Sequence, residues 1–93
     1  MTQVVDITHN QAANRFETNI EGHTGFISYQ DQGDRIVYDH TIVPSELGGK
    51  GVGSALVKHA LDYARNEGKK VVPTCSFVAS YINKHAEYQD LLL

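Results

Sequence analysis

Residues 47–54 read Leu47-Gly48-Gly49-Lys50-Gly51-Val52-Gly53-Ser54, with glycine at four of eight positions. Just upstream runs Arg35-Ile36-Val37-Tyr38-Asp39-His40-Thr41-Ile42-Val43, an apolar segment that reads as a strand. Helical spacing starts inside the loop, with Val52, Leu56, Ala60, Tyr63 and Ala64 on one face. Strand, glycine-rich turn and helix in this order gather free backbone amides at a helix start. Glycine lets the main chain approach a ligand, and the amides of the first helical turn point at an anion. Glycines at alternate positions in a helix start cost about 1 kcal/mol each against alanine. A turn with a purely structural duty seldom needs three of them. The segment therefore reads as a seat for a phosphate or pyrophosphate.

Three loop types compete for that reading. A P-loop requires lysine directly after its last glycine, but Gly53 is followed by Ser54 and Lys50 lies inside the loop. A dinucleotide fingerprint requires G-x-G-x-x-G and an acidic residue about 20 positions on. Here the third glycine is missing, and Lys69-Lys70-Val71-Val72 fills the zone of the acidic residue. The third pattern is Gly49-x-Gly51-x-Gly53-x-x-Leu56, which resembles the acyl-CoA loop of the GNAT superfamily of N-acetyltransferases.

The rest of the chain accommodates that resemblance. Arg15–Ile20 alternates, with Phe16, Thr18 and Ile20 on one face, and Thr24–Gln30 follows after a turn. With residues 35–43 these form an antiparallel meander, and residues 3–9 add a short edge strand. Pro44 ends the third strand of the meander. A helix over residues 51–67 stops at Gly68, and Lys69–Thr74 is a strand parallel to 35–43. Ser76 is placed to cap a second helix, with Phe77, Val78, Tyr81, Ile82 and His85 as its stripe and helical order fading near Ala86. The expected fold is α+β with a three-layer-like α/β aspect: a meander, then β-loop-α-β-α.

Residues 43–53 and 72–82, taken together, resemble the small YjdJ-like acetyltransferases, over roughly residues 15–90. Larger members of the superfamily carry two extra helices that shape an acceptor pocket, so this chain resembles a minimal version. The resemblance implies acetyl-CoA as co-substrate and an amine as acceptor. It implies that the amides of Gly48, Gly49, Lys50, Gly51, Val52, Gly53 and Ser54 hold the pyrophosphate. Lys50 and Lys58 are either partners for phosphate oxygens or solvated surface charges. It assigns the main chain of Ile42 and Val43 to the pantetheine arm, in a crevice where two strands splay apart. Cys75 falls beside the thioester, as a nucleophile or as lining. Tyr81 matches a tyrosine that protonates the leaving thiolate, or belongs to the core stripe. His40, on the strand face of Ile36, Tyr38 and Ile42, is a candidate base or a structural histidine.

Composition narrows the rest. Ninety-three residues suit a single domain. Residues 1–48 hold two basic and seven acidic side chains, net −5, and residues 49–93 hold six and four, net +2. A mildly positive half around the loop suits a small polyanion, and the field is too weak for nucleic acid. The acceptor is left open between a protein lysine or terminus and a polyamine, the latter matching the acidic first half. One cysteine excludes an internal disulfide and favours a reducing compartment. With no leader pattern and no run near 20 apolar residues, the expectation is a cytoplasmic chain with no membrane partner. No metal-ligand spacing is seen, and Ser54 has no partners for a triad. The competing reading is a CoA-binding module with little or no catalysis, serving as sensor or interaction protein. Oligomeric state is not legible.

Overall fold

A computed structural model describes residues 5–49 and 51–93. Strands β1 (Thr8–Asn10), β2 (Arg15–Ile20), β3 (His23–Asp31), β4 (Arg35–Ile42) and β5 (Lys70–Pro73) form one sheet in chain order. The first four pair antiparallel, and β4 pairs parallel with β5. The parallel pair is joined by α1 (Val52–Asn66), and α2 (Ser76–Lys84) follows β5. Short 3₁₀ turns occupy Gln11–Ala13, Ser45–Leu47 and Ala86–Leu91.

Alternation sets the faces. Phe16 and Thr18 of β2, Ile27 and Tyr29 of β3, Ile36 and Tyr38 of β4 and Val71 of β5 are all buried. They meet Val52, Leu56, Val57, Ala60, Leu61 and Ala64 of α1, with Val78 and Ile82 of α2. The Tyr38 hydroxyl donates to the Ala60 carbonyl inside this core, tying β4 to the middle of α1. Both helices contribute to this one core with the sheet, as expected of an α+β fold. The second face carries Arg15, Glu17, Phe26, Ser28, Val37 and Val72, none of them fully buried.

Five strands and two helices match the expected order, with several corrections. The edge strand is Thr8–Asn10, later than residues 3–9, and positions 3 and 4 lie outside the described residues. Ser76 does not cap α2: Cys75 is the N-cap, and no side chain caps that helix. The α-helix does give way near Ala86, as expected, since α2 ends at Lys84. A 3₁₀ segment runs from Ala86 to Leu91 and buries Tyr88 and Leu91. Arg65 grips it through Asp90 at 2.9 Å, and the Tyr88 hydroxyl donates to Asp62 at 2.7 Å. Leu92 then bridges Val71 on the outer edge of β5, and the Leu93 amide donates to the Val71 carbonyl at 3.3 Å.

Candidate functional site

The site begins where β4 and β5 part. Their ladder ends at Tyr38↔Pro73, and proline has no amide with which to continue it. The Tyr38 carbonyl receives the Cys75 amide at 3.1 Å and the Thr74 hydroxyl at 3.2 Å, which turns the chain toward α2. Beyond that point β4 runs on to Ile42, paired only with β3. Its other edge borders an open cleft.

A bulge reshapes the same stretch. Ser28 pairs with His40 and Tyr29 with Tyr38, so Asp39 is an extra residue without a partner of its own. An extra residue reverses the alternation beyond it. His40 and Ile42 therefore fall opposite Ser28 and Phe26, on the bare face, whereas Ile36 and Tyr38 point into the core. The expectation that all four share one face is corrected. Thr41 opposes the buried Ile27 and turns to the helix side instead.

The glycine loop closes the far end of the cleft. Buried Leu47 anchors it from a 3₁₀ turn that starts after Pro44. Gly49 has φ +76° and Gly51 has φ +72°, which an L side chain adopts only under strain. Lys50 between them lies outside the described residues. Gly51 is the N-cap of α1, and no side chain caps the helix. The first helical amides are thus left to an outside acceptor. A cavity of about 240 Å³ sits here, lined by Val43, Gly49, Gly51, Gly53, Ser54 and Phe77 among others. The Phe77 ring lies on buried Gly53, where an added Cβ would stand 2.8 Å from Cζ. Phe77, read from the sequence as part of a core stripe, is instead 44% exposed.

Cys75 stands between loop and cleft floor, half-buried, its thiol donating to the Thr41 hydroxyl at 3.5 Å. Burial pushes this thiol up, but hydrogen bonds donated to the thiolate, by the Thr41 hydroxyl once it turns round and by the amides of Val78 and Phe77, outweigh it and leave the thiol below its ordinary value. A helix start supports the thiolate in the same direction. Tyr81 is half-buried and stacks on His85 with ring centroids 3.9 Å apart. Burial raises its phenol, so it keeps its proton. Tyr81 also lines a second cavity of about 240 Å³ with Ser54, Phe77, Lys84 and His85, next to the loop cavity. Lys58 is engaged elsewhere, 2.9 Å from Asp62.

The structure thus gathers Val43, the described loop residues and Phe77 about one cavity, with Tyr81 on the adjoining one and Cys75 held to Thr41 past the end of the β4–β5 ladder. His40 is left on the opposite face. Sequence reading missed Phe77 and Thr41. An exposed aromatic one residue into a helix was a usable signal for the first, and nothing in the local sequence marked the second. Among the described residues no cluster of His, Cys, Asp and Glu is placed to hold a metal, and no helix is long and apolar enough to cross a membrane.

A mixed sheet parted at its parallel pair, with an uncapped glycine-rich helix start after it, defines an α+β domain. A profile described as GCN5-related N-acetyl-transferase matches residues 15–91, and the chain belongs to that family. Protein NATD1 of Gallus gallus is 29% identical over 84 residues, covering 87% of this chain and 76% of that protein. Protein NATD1 of Homo sapiens is 29% identical over 84 residues, covering 87% of this chain and 74% of its own. The solution structure of a GCN5-like protein from Staphylococcus aureus superposes with a TM-score of 0.74 at 33% identity, over 95% of this chain and 87% of that one.

Proposed function

We propose that this chain binds acetyl-CoA and transfers its acetyl group to an aliphatic amine, as a small family member of the YjdJ-like kind. One observation carries the reading: an uncapped helix start with two left-handed glycines lines a cavity together with Val43, the residue that follows the free edge of β4. Amides of Gly49, Gly51, Val52, Gly53 and Ser54, with Gly48 and Lys50 beside them, would take the pyrophosphate. The unpaired edge at Ile42 and Val43 would take the pantetheine amides.

Bound acetyl-CoA supplies an acetyl group already activated as a thioester. Cys75, biased toward thiolate, receives that group: the bond from acetyl carbon to Sγ forms as the bond to the coenzyme sulfur breaks. Tyr81, still protonated at neutral pH, supplies the proton to the departing sulfur. A neutral amine then displaces Sγ and takes the acetyl group, and its surplus proton restores the phenol. His40 lies outside this route.

One further reading is a CoA-binding module with little turnover, because the cavity on the second face, lined by Thr8, Arg15, Glu17, Asn19 and Thr24, lies over β1 to β3 and not at Cys75. Calorimetry with acetyl-CoA and intact-mass measurement after incubation separate the possibilities. Binding with an acetyl adduct that vanishes in Cys75→Ala supports the transferase. Binding with neither adduct nor amine product supports the module. Absence of binding overturns both.

A further inference from the structure

The aspartates at 31, 34, 62 and 90 each meet a lysine or arginine, at 2.7, 3.2, 2.9 and 2.9 Å. Asp39 does not. Its Oδ1 accepts the Ser28 hydroxyl at 2.6 Å, and among the described residues no cation pairs with it. Arg15 stands opposite Ser28 in the ladder, yet it turns to Glu17 at 2.6 Å and lies over the Phe26 ring at 4.6 Å. A half-buried carboxylate is held in place by a neutral donor, with its charge unmatched.

Its position is specific. Asp39 is the bulge residue, and it follows Tyr38, whose carbonyl holds the Cys75 amide. It therefore stands at the parting of β4 and β5, on the open face of the sheet. Ile42, 49% exposed, is the apolar surface on the same face, while its partner Phe26 across the ladder is covered by Arg15. A carboxylate in such a place draws an ammonium. An opposite charge nearby favours the protonated amine, whereas acyl transfer requires the neutral form, so the ammonium held at Asp39 is read as the one that does not react. The ligand must then carry two amino groups.

We propose that Asp39 docks the non-reacting ammonium of an aliphatic diamine or polyamine, with its methylenes over exposed Ile42 and its second amino group directed toward the cleft. This names the acceptor class for the transferase reading above and rests on it for the chemistry, though not for the binding.

The test is a titration of the free chain with 1,4-diaminobutane and, separately, with n-butylamine, followed by backbone amide shifts. The diamine is expected to move Ser28, Asp39 and His40 saturably, with affinity roughly tenfold or more above that of the monoamine. Asp39→Asn is expected to abolish the preference, and Ser28→Ala to weaken it by freeing the carboxylate. Asp34→Asn, which removes the same charge from the other end of β4, is expected to keep it. Equal affinity for the two amines, shifts that map elsewhere, or an undiminished preference in Asp39→Asn overturns the proposal. Competition by a peptide with adjacent lysines would assign the same chemistry to a protein acceptor. Parallel calorimetry with acetyl-CoA keeps the two readings apart: a diamine site without coenzyme binding sinks the transferase and leaves Asp39 standing.

Discussion

The Cys75 thiol donates to the Thr41 hydroxyl across the mouth of the cleft, with Sγ and Oγ1 3.5 Å apart. Of the contacts that hold this thiol below its ordinary value, the one with Thr41 is the strongest. Thr41→Val keeps the shape and removes the hydroxyl. The thiol is expected to titrate at higher pH, and alkylation by iodoacetamide at neutral pH should slow several-fold, since the thiolate is the nucleophile. An unchanged profile of rate against pH would show that Thr41 does not set the reactivity of Cys75.

Gly53→Ala places a methyl 2.8 Å from the Phe77 tip. Two effects compete. Alanine gains about 1 kcal/mol of helix propensity over glycine, and overpacking costs about 1–3 kcal/mol. Phe77 is half-exposed and free to swing, so the net change in stability by urea denaturation is expected to stay under about 1 kcal/mol. The ring then swings into the loop cavity, and affinity for acetyl-CoA should fall. Gly53→Ala with Phe77→Ala should recover the affinity; continued weakness in the double variant would locate the defect in the amides rather than the ring.

Gly51 has φ +72° at the N-cap of α1. Alanine there adopts a left-handed backbone at a cost of about 1–2 kcal/mol, or the loop rearranges. Either way a fall in the urea midpoint is expected together with loss of coenzyme binding. Gly33→Ala, also at positive φ but far from the cleft in the β3–β4 turn, should lose similar stability and retain binding. Equal binding in both variants would count against the loop.

His9 sits in an aromatic box, stacked on Phe16 at 4.2 Å, edge-on to Tyr63 at 4.7 Å, with Nε2 2.6 Å from the Tyr29 hydroxyl. Burial, then repulsion from His59, lowers its pKa from 6.5, with Glu67 opposing weakly. A folded-state value below the unfolded one means that the unfolded chain binds the proton more readily. Stability from this group is complete above about pH 6.5 and declines as pH falls toward the depressed folded value. Thermal unfolding should show that slope in the wild type and a flatter one in His9→Phe. The same slope in both would assign it to another group.

Elements with a strong period were readable from the chain. Phe16 and Thr18 turned inward by simple alternation, and α1 lay where Val52, Leu56 and Ala60 placed it. The glycine loop was readable because its composition makes no sense for an ordinary helix start. The bulge was not, because residue 39 is supernumerary only with respect to Ser28 and Tyr29 on a neighbouring strand. That one long-range fact moved His40 off the core face and brought Thr41 to Cys75. The packing beyond the end of α2 was not readable for a related reason: Tyr88 and Leu91 have no helical period of their own, and their order comes from Asp62, Arg65 and Val71 at long range.

The supernumerary residue has a bearing on how such a chain can change over time. Substitutions along β4 alter one surface at a time. Deleting residue 39 would instead exchange the inward and outward sets from His40 to Ile42 in a single event, drawing Thr41 away from the thiol and turning Ile42 against the helices. Length at this point is therefore harder to vary than identity, and any divergence of acceptor preference among similar chains is expected to proceed by replacing side chains around an insertion that stays.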